Sequence, residues 1–197
     1  FISHGSTINT EENRFFDDES YPAINAAGKY EMQKISEWVK SKGLKIDKIY
    51  SSPALRTTQS ARILAQICDK EFEVKENLTG RKAGIWSGLS YGDIEEKFPG
   101  SLDEYFSNPE KFCPENGETL FDFNKRIEKS ISEAVESNLS KRLIIVTNRE
   151  IIQSAVASAL SIPPESQYKI YMPTGSATQI SYFEDFSSLV YSAYLPL

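Results

Sequence analysis

The 197-residue sequence holds a single histidine, His4. That scarcity excludes a metal centre built on several imidazoles, and two widely separated cysteines, Cys68 and Cys113, supply neither a four-thiolate site nor a disulfide framework. No metal and no cofactor is therefore expected. No apolar run approaches the roughly 20 residues a membrane-spanning helix needs. A dense basic block is also missing. With Lys+Arg 22 against Asp+Glu 28 the formal net charge is -6, so the chain lacks the electrostatic footprint for duplex DNA or an anionic bilayer, where neutralising phosphates dominates affinity. Neither nucleic acid nor a membrane is expected as a partner. Sparse thiols and the absence of a visible secretory signal favour a reducing, cytoplasmic setting.

What is present reads as an ordinary globular composition, and a chain of this length buries about 70% of its unfolded surface as one domain, here residues 1–197. Phe1-Ile2-Ser3 reads as the stub of a strand that breaks at His4-Gly5, followed by polar loop to about Ser20. Met32, Ile35, Trp38 and Val39 recur at helical spacing within Asn25–Lys42, and Gly43 marks a left-handed stop. A strand over Ile46–Ser51 leads through Ser52-Pro53, with Pro in the first turn, into a helix ending near Cys68. Residues 71–114 read as an irregular, Gly- and Pro-rich insertion covering the functional end of the fold.

Thr119 to Asn138 reads as a helix with Leu120, Phe123, Ile127 and Ile131 inward. Leu143–Thr147 is a continuous apolar strand of the kind buried on both faces of a parallel sheet. A helix follows from about Glu150 to Leu160, and then strands over Lys169–Met172, Ala177–Phe183 and Ser188–Tyr194. This alternation predicts an α/β fold, a three-layer α/β/α sandwich with a mostly parallel central sheet.

Ligands of such sheets bind beyond the carboxyl ends of the strands. Four segments meet that condition: Ser3-His4-Gly5-Ser6-Thr7, Ser51-Ser52-Pro53-Ala54-Leu55-Arg56, Thr79–Trp86 and Thr147-Asn148-Arg149-Glu150. Together with Gln59-Ser60-Ala61, the Gly84-Ile85-Trp86-Ser87-Gly88 loop, Asn116-Gly117-Glu118-Thr119 and Arg126, they follow one another in an order that resembles the histidine phosphatase superfamily. The resemblance is to the phosphoglycerate-mutase-like fold, particularly its small phosphatase branch, and it covers nearly the whole chain.

The resemblance implies an imidazole nucleophile, a cage of two arginines and a second histidine around a phosphoryl group, and a carboxylic acid that protonates the leaving alcohol. Transferred residue by residue, His4 takes the nucleophile position and Arg56 that of the second cage arginine. Ser3 stands where the family has its first arginine, Asn148 where it has the second histidine, and Arg149 where a glycine commonly follows. The expected glutamate falls at Gly80. Ser3, Gly5, Arg56, Thr7, Asn148 and Arg149 are thus the candidate phosphate-binding residues, with Glu76 and Glu118 as candidate acids. Phosphoryl transfer depends mainly on positioning and on compensating spread negative charge, so each missing cation matters.

Plainer roles exist for most of these residues. Asn148 suits an N-cap, Glu118 the positive end of a helix, Arg149 solvent, and Trp86 loop packing. Cys68 reads as a core residue. Two functions follow from the resemblance: a catalytically impaired pseudophosphatase that retains phosphate-ester binding or an interaction role, and an active phosphomonoesterase working through a phosphohistidine at His4. The expected ligand is a phosphorylated small molecule or phosphate. The aromatic group Tyr182, Phe183, Phe186, Tyr191 and Tyr194 reads as either core or a docking face for a protein partner or a second copy.

Overall fold

A computed structural model describes residues 1–8, 14–15 and 22–196; most of the polar stretch that follows Ile8 lies outside them. Six strands form one sheet in the order β3-β2-β4-β1-β5-β6: β1 (Ile2–Ser3), β2 (Lys48–Ser51), β3 (Phe72–Val74), β4 (Leu143–Thr147), β5 (Ala177–Tyr182) and β6 (Ser187–Tyr194). The first four run parallel, and β5 and β6 close the sheet antiparallel. α1 (Ala26–Ser41) and α2 (Leu55–Cys68) cover one face, with α5 (Leu120–Glu136) and α6 (Arg149–Ala159) on the other.

Side-chain alternation along the strands builds both layers. Ile49, Ile144 and Val146 enter the core under α1 and α2 with Met32, Ile35 and Leu64, while Tyr50 and Ile145 enter the opposite core with Leu120, Phe123, Ile127 and Ile151. Each fully buried side chain of this size contributes about 1.5–3 kcal/mol. Asn25 caps α1 by accepting from Gly28 N at 2.8 Å, and Gly43 adopts φ +61 after its end. The loop after β1 and α1 meet backbone to backbone: a Cβ on Gly5 would fall 2.3 Å from the Gly28 carbonyl oxygen.

Three expectations are corrected. The span 71–114 is not irregular throughout, since it contains β3 and two seven-residue helices, α3 (Tyr91–Lys97) and α4 (Ser101–Ser107). Neither is long enough to show a helical period, and α3 is set by a capping box between Ser90 and Asp93. Residues Lys169–Met172 form no strand; a 3-10 turn occupies Pro164–Lys169, held where Gln153 Nε2 donates to Ile170 O at 2.7 Å and Asn124 Nδ2 to Gln167 Oε1 at 2.9 Å. Pro53 precedes α2 instead of entering its first turn, because Thr57 and Thr58 N–H groups both bond Ala54 O and make Ala54 the cap.

Among the described residues no helix is long and apolar enough to cross a membrane. The aromatic group of the last hairpin divides. Phe183 and Phe186 stack at its exposed turn, whereas Tyr191 and Tyr194 pack on Trp38. A cavity of about 710 Å³ opens at the amino ends of the parallel strands, between Trp38, Leu44, Val135 and Leu143, at the opposite end of the sheet from His4.

The glycine contact yields a stability test. Gly5→Ala must push two backbones apart and is expected to cost more than about 3 kcal/mol, whereas Gly43→Ala, strained in φ but facing open space, costs about 1–2 kcal/mol. Urea unfolding of the two variants measures this, and equal losses would contradict the close approach.

Candidate active site

β1 and β4 are parallel neighbours in register, Ser3 opposite Thr147, so the residues that follow them emerge side by side. His4 N donates to Thr147 O at 3.1 Å and His4 O accepts from Gly175 N at 3.0 Å, which pins the residue's backbone from both flanks. The residue is 7% exposed. Nδ1 lies 2.8 Å from Gly5 O; a carbonyl only accepts, so Nδ1 carries the ring proton and Nε2 keeps its lone pair. Burial foremost, then the positive charge of Arg56 and more weakly of Arg149, lowers the imidazole's pKa to about 3 against the upward pull of the Gly5 carbonyl. At neutral pH His4 is uncharged.

Arg56 projects from the first turn of α2 and is 3% exposed. The helix is tied to the histidine loop by Ser60, whose Oγ accepts from Gly5 N at 3.0 Å and donates to Arg56 O at 2.7 Å. Ser52 Oγ and Thr147 Oγ1 hydrogen-bond at 2.6 Å, joining the ends of β2 and β4. The Ser-Ser-Pro and Gln-Ser-Ala motifs therefore act largely as ties between loops, with Gln59 Oε1 accepting from Ile24 N at 3.0 Å. Ser60 thus clamps Gly5 to Arg56, a contact across 55 positions of chain that the local Gln-Ser-Ala motif does not reveal.

Asn148 is 3% exposed and occupies the N-cap position of α6, yet its side chain makes no capping bond there. Its carbonyl instead accepts from Ile151 N and Ile152 N. Arg149 begins α6 with an exposed side chain whose charge acts on both His4 and the Tyr91 phenol. His4, Arg56, Asn148 and Arg149 thus gather at one edge of the sheet. Ser3 and Thr7 do not open onto it: both are fully buried, and the Ser3 hydroxyl has no hydrogen-bond partner among the described residues.

The candidate acids part company with expectation. Glu118 receives Arg126 through two bonds, Nε to Oε1 at 2.9 Å and Nη2 to Oε2 at 2.7 Å. Arg126 also donates to the carbonyls of Asn77, Thr79 and Gly80 at 2.9, 3.1 and 3.3 Å. This bidentate pair, with the carbonyl bonds, holds the 77–80 turn. Glu76 lies exposed in the 3-10 turn Glu76–Leu78, just after the edge strand β3.

Glu150, in the first turn of α6, accepts through Oε1 from Arg81 N at 2.9 Å. Beyond it stands an aromatic wall: Phe15 meets Trp86, Tyr91 and Tyr105 edge-on at 5.3, 5.3 and 5.8 Å. Trp86 is 1% exposed, so it packs the loop as expected. No cluster of His, Cys, Asp and Glu side chains among the described residues is arranged to hold a metal ion.

Fold and site together define an α/β protein that presents a buried, neutral imidazole among cations at the carboxyl edge of its parallel strands. Residues 1–193 match the histidine phosphatase superfamily (branch 1), and the chain belongs to that family. It is 27% identical over 147 residues to a putative phosphoserine phosphatase 2 of Hydrogenobacter thermophilus, covering 75% of this chain and 72% of that protein. It is 29% identical over 133 residues to phosphoglycerate mutase-like protein 4 of Arabidopsis thaliana, covering 66% of this chain and 57% of the plant protein. Among solved structures, the α-ribazole phosphatase from Shigella flexneri superposes with a TM-score of 0.88 at 19% identity, over 98% of this chain and 94% of that one. A mycobacterial glucosyl-3-phosphoglycerate phosphatase solved with VO3 gives 0.84 at 20% identity, over 98% and 96%. At these identities the structures speak for the fold, a mixed α/β architecture shared with phosphoglycerate-mutase-like phosphatases.

The state of His4 predicts a pH dependence of folding. The imidazole titrates at 6.5 when unperturbed and at about 3 in the fold, so the unfolded chain binds the extra proton in between. Its contribution to stability is complete above pH 6.5 and is lost as pH falls toward 3. Relative to His4→Asn, the protein should lose about 1.4 kcal/mol more per pH unit between pH 6 and 4, measured by urea unfolding. Parallel slopes for the two proteins would show that His4 is not held neutral.

Proposed function

We propose that this protein is a phosphomonoesterase that acts through a phosphohistidine at His4. The observation that carries the reading is the imidazole itself: neutral, anchored through Nδ1 to Gly5 O, and under the positive fields of Arg56 and Arg149. A neutral ring so held offers the Nε2 lone pair to phosphorus. Guanidinium groups nearby compensate the charge spread over the transferring phosphoryl oxygens. Relatives and structural neighbours described as phosphatases of phosphoserine, α-ribazole phosphate and glucosyl-3-phosphoglycerate support a phosphate monoester of a small molecule as the substrate class. A reducing, cytoplasmic setting fits Cys68 and Cys113, both free thiols.

The cage differs from the one the family resemblance implies. Ser3 and Asn148 bring no charge, and Arg149 supplies a cation from the first turn of α6. Each charge-assisted hydrogen bond lost is worth about 1.5–3 kcal/mol, or roughly 10- to 150-fold in rate if it is felt only in the transition state. Slow turnover is the expected consequence. The second reading, a pseudophosphatase that binds phosphate without turning it over, draws its support from the same substitutions, Ser3, Gly80 and Asn148.

Rapid acid quench after mixing with radiolabelled phosphomonoesters separates the two. The enzyme reading expects an acid-labile label on His4 that disappears in His4→Ala. It further expects kcat/KM to fall about 10²–10³-fold in Arg56→Gln and about tenfold in Arg149→Gln. Phosphate or vanadate binding with no label and no turnover across a broad substrate panel would establish the pseudophosphatase instead.

A further inference from the structure

We infer that Glu31 is the positioning residue for the His4 imidazole, acting through the peptide unit between Gly5 and Ser6. The assignment deepens the phosphatase reading above, since the ring it orients is the one to which that reading transfers phosphate, but the contacts that carry it stand without any turnover.

The imidazole is anchored to a backbone group: Nδ1 donates to Gly5 O at 2.8 Å. That carbonyl belongs to the same planar amide as Ser6 N–H, so whatever holds the N–H also fixes the direction of the carbonyl. Glu31 holds it. Its Oε2 accepts from Ser6 N at 2.9 Å, and its Oε1 accepts from Ser6 Oγ at 2.6 Å. With its one proton given to Glu31, Ser6 Oγ accepts from Thr174 Oγ1 at 2.8 Å. A flip of this amide would break the bond to Glu31 and the bond to His4 together.

Close backbone approaches seat Glu31 in this position. One turn earlier on α1, a Cβ on Gly28 would fall 2.2 Å from Ser6 O, and the same oxygen accepts from Asn25 N at 2.9 Å. From the other direction, a Cβ on Gly175 would fall 2.7 Å from the Cβ of Glu31, and Gly175 N donates to His4 O at 3.0 Å. Glu31 therefore stands between the amide that anchors the ring and the turn that pins the residue's backbone.

Glu31 carboxyl, Ser6 N–H, Gly5 C=O and His4 Nδ1–H form one chain of hydrogen bonds, in which each member polarises the next. Negative charge at the Glu31 end makes the carbonyl a better acceptor, keeps the ring proton on Nδ1 and leaves the Nε2 lone pair free. A carboxylate bonded directly to a histidine Nδ1–H fixes tautomer and orientation in the same way. Here a peptide is interposed, and the charges that shift the ring remain those of Arg56 and Arg149.

Because His4 is the chain's one histidine, nitrogen and proton NMR can follow its ring without ambiguity. The unmodified protein should show the neutral Nδ1–H tautomer with no protonation between about pH 7 and 4. In Glu31→Ala the Nδ1–H signal should be lost to exchange with water, and the ring should titrate about 1–2 pH units higher as the loosened loop hydrates it. Glu31→Gln, whose Oε1 can accept from Ser6 N and whose Nε2 can donate to Ser6 Oγ, should keep the tautomer and the signal. Val39→Ala, a core change on the same helix, should lower stability and leave the ring signals in place. With p-nitrophenyl phosphate, Glu31→Ala should lower kcat about 10- to 100-fold while KM stays within about threefold, because Arg56 and Arg149 are untouched. Unchanged ring signals in Glu31→Ala would overturn the assignment, as would equal disturbance by Val39→Ala or a loss in Glu31→Gln as large as that in Glu31→Ala. Should Glu31→Ala not fold, Ser6→Ala decides: it removes the hydroxyl link and should move the ring titration by a smaller amount in the same direction, and no movement overturns the assignment. Ring signals that behave as expected in a protein that never labels His4 overturn the phosphatase reading alone.

Discussion

The parallel pairing of β1 with β4 is the contact on which the site depends, because it brings together residues 144 positions apart in the chain. Ser3 lies opposite Thr147, and the backbone bond from His4 N to Thr147 O extends the ladder one step past the strand. Everything beyond that bond must diverge from the sheet, and the two chains do so in adjacent positions. The single histidine and the first turn of α6 consequently share one edge. A slip of one residue in this register would turn His4 to the other face of the sheet and separate it from Asn148 and Arg149.

Around that pairing the protein arranges an electrostatic opposition. Burial drives His4 toward neutrality, and Arg56 and Arg149 reinforce the same direction by repelling a proton from the ring. Arg56 is itself buried, at 3% exposure. On the proposed phosphatase reading, an arriving phosphate dianion meets cations already in place and a ring that carries no competing charge. The chain's overall charge of -6 repels such an anion at long range, so attraction resides in the local cations and is confined to about a Debye length, roughly 8 Å at physiological salt.

Guanidinium groups tie the turns of the segment covering the site, beside the packing of Leu78, Trp86 and Ile94. Arg126 gathers three carbonyls and Glu118 at the 77–80 turn, while Arg81 ties together Phe112, Glu118, Tyr105 and Tyr168. Short turns with little core of their own gain definition from such multidentate donors, since one planar group satisfies several carbonyls that would otherwise face the interior unpaired. The same scaffold takes up Glu118, a candidate acid in sequence, in a bidentate pair with Arg126.

Much of the architecture was legible from local pattern. The period of three and four in Leu120, Phe123, Ile127 and Ile131, the apolar run Leu143–Thr147 and the stop at Gly43 each record a single element's burial or backbone conformation. Such information is contained within a few neighbouring residues. The seven-residue helices α3 and α4 escaped because their stability comes from a capping box and from rings of other segments, and the supposed strand at 169–172 failed because its neighbours are helices and not a sheet edge. Asn148 has the side chain of an N-cap and stands at the N-cap position, but its amide takes no part in the cap, a distinction invisible to residue type. By itself the sequence determined the family and the presence of a single imidazole, because these are matters of which groups exist. Only the tertiary structure decided which cations reach His4, because charge acts through space and the partners are brought close by pairings and ties between distant parts of the chain.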